Sequence, residues 1–158
     1  MIVSREEVLS HPVYLLAFGF GSGLTPKAPG TAGTMVAIPL HLIFIKFPIW
    51  LHGTIIILAF LLGIWICGKT SEYLGVHDHE GIVWDEFVGC WITMFLLPVN
   101  WSWITLGFIV FRILDILKPW PIKSIDKKVR GGVGIMLDDL IAGIMSAVFL
   151  HALFVLYG

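Results

Sequence analysis

Charge is scarce in this chain. Only 13% of its 158 residues are Asp, Glu, Lys or Arg, against about 25% in a soluble domain. Nor is there an excess of either sign. Ten Lys and Arg face eleven Asp and Glu, for a net charge of −1, so nothing draws the chain to nucleic acid. Cysteine is nearly absent: Cys67 and Cys90 both lie in apolar stretches, and two such thiols make no disulfide framework. Arginine occurs only at positions 5, 112 and 130. The N-terminus lacks the marks of a cleaved leader, because Arg5 is followed by Glu6 and Glu7, and no small-residue cleavage site follows the short apolar run after His11.

What fills the chain instead is apolar. Hydrophobic residues make up 58%, with a mean hydropathy of +0.93. A water-soluble globule and a disordered tail are both excluded at this composition. The length fits one membrane-embedded domain over residues 1–158. About 20 apolar residues cross a bilayer core, and the stretch from Phe47 to Gly68 holds no charged side chain, so Ile49–Cys67 reads as a spanning helix. Leu140–Tyr157 is a second such run. Thr31–Ile45 is shorter and carries Pro39, which predicts a kinked span. The long uncharged run Phe87–Phe111 is interrupted at its centre by Pro98, Asn100 and Ser102. It reads either as one tilted helix or as two, Ile82–Leu97 and Trp101–Leu117, joined by a tight turn.

Charge separates those two readings. With the turn, nine of the ten cations share one side, and only Lys46 falls on the other. With one long helix, the six cations from Arg112 to Arg130 would cross to the side opposite Lys27 and Lys69. The excess of Lys and Arg in cytoplasmic loops therefore favours the turn and a bundle of about five spans. Trp50, Trp101 and Trp103 then mark the outer boundary, and Trp84 and Trp120 the inner one. Trp65 and Trp91 fall inside spans, as packing residues. All eleven carboxylates also end on the inner side, several at the mouths of spans, where they are costly unless paired or bound to a cation.

Three groups gather those acids. The first is His77-Asp78-His79-Glu80 with Trp84-Asp85-Glu86, at the entry to the third span. Arg112, Asp115 and Lys118 follow at the exit of the fourth, spaced to share one helix face and stopped by Pro119. Gly131-Gly132-Val133-Gly134 and then Asp138-Asp139 open the fifth. Asp85, Glu86, Asp115, Asp138 and Asp139 in one small volume cannot all remain ionised without a compensating cation. Hard carboxylate oxygens without a neighbouring thiol suit magnesium or manganese. The plainer alternative is that each acid pairs with a lysine or caps a helix; Asp138 in a first helical turn would be such a case. Arg112, Asp115 and Lys118 are equally open to two readings, a self-satisfied ion-pair stripe or an acid facing a metal with two cations facing phosphate.

Two glycine-rich stretches could offer backbone N–H groups to phosphate oxygens. One runs from Gly19 through Gly21, Ser22 and Gly23 to Gly30, Thr31, Gly33 and Thr34. The other carries Gly132 and Gly134. Neither has the spacing of a P-loop, and both could be turns or close helix contacts. His77, Asp78 and His79 sit in a polar loop and suit at most a minor or proton-transfer role, since zinc would need softer ligands nearby. Lys123, Asp126, Lys127, Lys128 and Arg130 form a basic inner loop that would be drawn to anionic lipid headgroups.

Among phosphate chemistries, neither cysteine is followed by the arginine that a cysteine phosphatase requires, arginines are too few for a histidine-based lipid phosphatase, and no D-x-D pair exists. Metal-dependent attack by water remains. On the residues alone, the chain is a metal-dependent enzyme or a transporter of a phosphorylated membrane substrate. A cation transporter or channel would use the same acids but nearer mid-span. An alcohol phosphotransferase acting on a nucleotide-linked lipid would need a D-G-x-x-A-R signature that is absent.

Four runs in order, GFGSGLTPKAPGTAGT (Gly19–Thr34), HDHEGIVWDEFVGCW (His77–Trp91), FRILDILKPWPI (Phe111–Ile122) and GGVGIMLDDLIAG (Gly131–Gly143), resemble the phosphatidylglycerophosphatase A family. The resemblance implies an all-α bundle in the bacterial inner membrane, with its acidic loops facing the cytoplasm. It implies magnesium-dependent removal of the terminal phosphate from an anionic phospholipid, phosphatidylglycerophosphate. It assigns catalysis to Asp85, Glu86, Asp115, Asp138 and Asp139, with Asp85, Glu86, Asp138 and Asp139 as metal ligands and Asp115 as either a further ligand or a general base. Arg112 and Lys118 would neutralise the phosphoryl group, helped by backbone near Gly21–Gly23 or Gly132–Gly134. The sequence does not bear on oligomeric state.

Overall fold

The computed structural model describes residues 5–157. Among these residues the secondary structure is helical throughout, with no strand. Two short helices, α1 (Arg5–Ser10) and α2 (Pro12–Ala17), lead into a 3-10 segment at Gly19–Leu24. Then come α3 (Pro29–Phe44), α4 (Ile49–Leu74), α5 (Trp84–Met94), α6 (Trp101–Leu117), α7 (Ile122–Lys128) and α8 (Gly131–Tyr157).

Helices α4 and α8 are long and apolar enough to cross a membrane, yet only 22% of the apolar window of each is buried. A soluble protein hides such helices in its core. Here Ile57, Leu58, Leu61 and Trp65 on α4, and Ile144, Val148 and Phe149 on α8, face outward. An apolar surface on this scale has no stable place in water, and the chain is a membrane protein.

The expected break in the long uncharged run is present. Helix α5 stops at Met94, Leu96 takes a left-handed backbone (φ 66°), and Asn100 caps α6 by accepting the Trp103 N–H at 3.0 Å. Helix α6 matches its expected limits. The other elements differ in instructive ways. Helix α4 extends beyond its apolar run at the C-terminal end and α8 at the N-terminal end, since polar residues continue a helix once it is nucleated. Helix α5 is only 11 residues, about 16 Å long, well short of a bilayer core of about 30 Å. Nine of its residues are buried, with α3, α4, α6 and α8 packed around it. It is the core of the bundle, and it is shorter at both ends than the Ile82–Leu97 expected from hydropathy.

Tryptophan placement changes accordingly. Trp84 is buried and donates its indole N–H to the Ala59 carbonyl at 3.0 Å, as Trp91 does to the Ala37 carbonyl at 2.9 Å. Trp84 therefore holds α5 against α4 and does not mark the inner boundary. Trp65, expected to pack, faces outward instead. Trp50, Trp101 and Trp120 are exposed, as boundary residues should be.

Helices α5 and α8 approach most closely at Gly89 and Gly143. A Cβ on Gly143 would sit 2.7 Å from the Gly89 carbonyl oxygen, and one on Gly89 would sit 2.9 Å from the Asp139 carbonyl oxygen. Small residues that admit backbone-to-backbone contact are how helices associate in lipid, where no hydrophobic force drives them together. The contact lies one turn from Asp85 and Glu86 on α5 and one turn from Asp139 on α8, so it fixes the spacing of the acids. A Gly143→Val substitution must push these helices apart. It should destabilise the fold by about 1–3 kcal/mol, the usual range for overpacking, read as a lower thermal midpoint of the detergent-solubilised protein. Ala142→Gly beside it should cost less.

Candidate active site

The N-terminal ends of α3, α5 and α8 and the C-terminal end of α6 enclose a cleft of about 330 Å3. Seven carboxylates line it (Asp78, Glu80, Asp85, Glu86, Asp115, Asp138 and Asp139) against two cations, Arg112 and Lys118. That excess of negative charge in a partly dry space suits a positive ligand.

The acids divide into two groups. Ligand oxygens of Asp85, Glu86 and Asp139 lie within 4.8 Å of one another, as do those of Asp78, Asp126 and Asp138. In the first group each carboxylate has an oxygen that is buried and without a hydrogen-bond partner: Asp85 Oδ1, Glu86 Oε2 and Asp139 Oδ2. Unsatisfied buried polar atoms are rare in native proteins, and three on adjoining acids fit a hard divalent cation. Asp85 and Glu86 reach this point from the first turn of α5. Asp139 reaches it from α8, where Asp138 and Asp139 lie two turns past the helix start at Gly131 and are both buried. The helix-capping alternative for Asp138 fails for that reason, since the dipole effect is confined to the first turn.

The second group is already compensated. Lys118 Nζ donates to Asp138 Oδ2 at 2.6 Å and to Asp126 Oδ1 at 3.0 Å. Burial works against the charge on Lys118, but the hydrogen bonds and charges of Asp138 and Asp126 outweigh it and hold the ammonium well above the ordinary lysine range. Although Asp78 as a residue is exposed, its carboxyl is raised above the usual aspartate range, chiefly by loss of water, with Lys118 opposing the shift. The expected ligand set of Asp85, Glu86, Asp138 and Asp139 is thus split. Neighbouring residues on a helix point about 100° apart, so Asp138 turns to Lys118 while Asp139 turns to Glu86.

Arg112 pairs with Asp115 and lies 3.6 Å from Glu86 Oε1, and its Nε is buried without a partner. The ion-pair stripe along α6 is therefore half real. Arg112 and Asp115 satisfy each other, whereas Lys118, held at the end of α6 by a left-handed backbone (φ 42°), reaches across to α7 and α8.

The glycine-rich runs mostly serve other ends. Ser22 spends its hydroxyl on the Gly19 carbonyl at 2.7 Å. Gly23 packs on the Gly81 backbone, Gly132 on the Ile64 carbonyl, and Gly134 on the Val129 carbonyl. Thr34 is buried and donates to the Gly30 carbonyl at 2.8 Å. Gly21, Ser22, Gly23, Thr31, Thr34, Gly132 and Gly134 are all absent from the cleft lining. Among the glycines it is Gly30 that reaches it. A Cβ there would lie 2.2 Å from Glu86 Oε1 and 3.0 Å from both terminal nitrogens of Arg112. Gly30 belongs to the glycine-rich stretch that the sequence marks, and Pro29 at the start of α3 sets where it stands. Asp126 was hidden among the lysines of the basic loop, where composition favoured a headgroup-facing surface. His77 and His79 stay out of the lining, and His79 Nδ1 accepts the Gly81 N–H at 3.0 Å as part of a turn.

Comparison with known proteins bears on what this cleft does. The family model described as "PgpA: Phosphatidylglycerophosphatase A" matches residues 15–154. A phosphatidylglycerophosphatase A of Escherichia coli (strain K12) is 49% identical over 144 residues, covering 90% of this chain and 84% of the relative. One from Haemophilus influenzae is 46% identical over 149 residues, covering 92% and 90%. A protein of Bacteroides thetaiotaomicron with a provisional name, phosphatidylinositol-3-phosphatase, is 36% identical over 144 residues, covering 86% and 89%. No solved structure matches. Coverage nearly end to end, at close to half identity, means that the chain belongs to the phosphatidylglycerophosphatase A family.

Proposed function

We propose that this protein hydrolyses the terminal phosphomonoester of phosphatidylglycerophosphate, releasing phosphate and phosphatidylglycerol. The observation that carries the reading is the trio of unsatisfied, buried carboxylate oxygens on Asp85, Glu86 and Asp139 beside Arg112, in a chain about half identical to enzymes of that name.

Magnesium is the cation that best suits a set made of carboxylate oxygens alone, and when bound by Asp85, Glu86 and Asp139 it would supply Lewis-acid polarisation and a water of lowered pKa. The protein's own groups do the rest. Arg112 and Lys118 set positive charge beside the phosphoryl oxygens as negative charge builds on them. Asp115, fixed by Arg112, faces the same cleft and is placed to accept a proton from the attacking water. Gly30, without a side chain, leaves the Glu86 and Arg112 heads free to meet the substrate. Asp138 and Asp126 keep Lys118 charged and aimed.

The finer membrane reading follows from helix lengths and charge. About five passes, an inner-membrane location and a cytoplasmic cleft are consistent with nine cations on one side. The 27 residues of α8 extend about 40 Å, longer than a bilayer core of about 30 Å. Its first two turns can therefore protrude and hold Asp138 and Asp139 at headgroup level. Anionic lipid near Lys123, Lys127 and Lys128 would keep the substrate surface close.

Purified protein should release inorganic phosphate from phosphatidylglycerophosphate, and chelation of divalent ions should abolish the release until magnesium is restored. Asp139→Asn should lower kcat by at least about a hundredfold. Wild-type rates in each of Asp85→Asn, Glu86→Gln and Asp139→Asn would sink the metal-centred reading. Orientation has its own test. Cys67 and Cys90 are buried, so a cysteine placed at Asn100 should react with a membrane-impermeant reagent outside the cell. One at Lys128 should react only after lysis, and the reverse pattern would invert the topology.

A further inference from the structure

Two apolar grooves flank α6. One, about 380 Å3, lies between α6 and α8 and is lined by Val110, Ile113, Leu114, Met145 and Phe149. The other, about 180 Å3, lies between α3 and α6, lined by Met35, Ile38, Trp101, Ile104, Thr105 and Phe108. They differ in their relation to the acidic cleft.

On α6, Phe108, Thr105 and Trp101 stand four, seven and eleven residues before Arg112, spacings that put all four on one helix face. On α3, Thr31, Met35 and Ile38 share a face in the same way, beginning beside the cleft residue Gly30. Val110, Ile113 and Leu114 point to another side of α6, at about 100° per residue. The α3–α6 groove is therefore the one that continues the cleft toward the bilayer. Its lips are open, since Met35 and the cleft residue Ile116 are both exposed, and α3 and α6 touch only sparsely. From Arg112 to Trp101 the face is about 16 Å long, roughly the hydrocarbon depth of one leaflet.

We propose that the α3–α6 groove seats an acyl chain of the lipid substrate while its phosphate lies in the cleft, so that the lipid enters sideways from the bilayer. This rests on the lipid-phosphate reading above. Drawing a chain into water costs free energy for every methylene, so a membrane lipid can bring its phosphate to buried carboxylates only along an apolar path. The groove adds no hydrophobic gain over bilayer hydrocarbon. Its contribution is alignment, with one chain held against Phe108 and Thr105 fixing how far the headgroup reaches past Arg112.

The test compares dioleoyl phosphatidylglycerophosphate in mixed micelles with the dihexanoyl lipid dissolved as monomers, which can enter from the aqueous side. Thr105→Trp and Met35→Trp fill the groove from two exposed positions, where folding tolerates bulk. Each should lower the ratio of long-chain to short-chain kcat/KM by about ten- to a hundredfold, the scale of a small misplacement of the reacting group. Val110→Trp, in the other groove, should leave that ratio unchanged. An unaltered ratio in both groove-filling variants, or a fall confined to Val110→Trp, overturns the proposal. Failure of the wild-type protein to release phosphate from either lipid would instead remove the lipid-phosphate reading itself, and the groove's role with it.

Discussion

A carboxylate that leaves water must be repaid with positive charge or hydrogen bonds, and this bundle carries several such groups into one cleft. The effective penalty is several kcal/mol per ion even after relaxation. Two different devices meet it. Asp126 and Asp138 receive an internal ammonium, Lys118, through short hydrogen bonds. Of Asp85, Glu86 and Asp139, Glu86 borders Arg112, which is already engaged by Asp115. The first arrangement is complete within the protein; the second leaves carboxylate oxygens that could hold a metal ion.

Much of the architecture serves that asymmetry. Helix α5 is short and buried, and its enclosure by four neighbours lets it deliver Asp85 and Glu86 from a rigid first turn. Gly89 and Gly143 bring its backbone against α8, so the acids of both helices meet within a metal's reach. Trp84 and Trp91 tie α5 to α4 and α3 through indole hydrogen bonds to backbone carbonyls. Each bond satisfies a polar group in a region where water cannot. A site that depends on sub-ångström placement is thus mounted on helices and not on loops.

Hydropathy and charge made the larger features legible in the sequence. The ends of α6 follow from Asn100 and Pro119, which are strong local signals for a helix start and stop. The break before Trp101 follows from the distribution of lysines, a global constraint. What hydropathy does not distinguish is a buried core helix from a lipid-facing one, because both are apolar; the burial of α5 and of Trp84 is not legible for that reason. The acids themselves stood out, since charge is so rare in this chain. Their division into two groups did not, because Asp138 and Asp139 are equivalent in composition and separated only by helical phase. Glycine was the least legible residue. The same letter packs α8 on α4 at Gly132 and opens the cleft at Gly30, and only the neighbouring backbone tells them apart.

Arg112 and Lys118 show why the two cations are not interchangeable here. A guanidinium presents a planar fork that can hold Asp115 and still border Glu86, and it remains charged in any surroundings. An ammonium is a compact point charge whose protonation depends on its partners, and Lys118 is supplied with two of them on α7 and α8. Neutralising Lys118 would therefore leave Asp126 and Asp138 uncompensated as well as removing a positive group from the cleft. The loss would fall on the packing of α7 against α8 and on the chemistry together. Replacing Arg112 by lysine would keep the charge but lose the fork, so that Asp115 and Glu86 could no longer be served by one side chain. The positions of these two residues, six apart at the end of one helix, thus couple the shape of the bundle to the charge of its cleft.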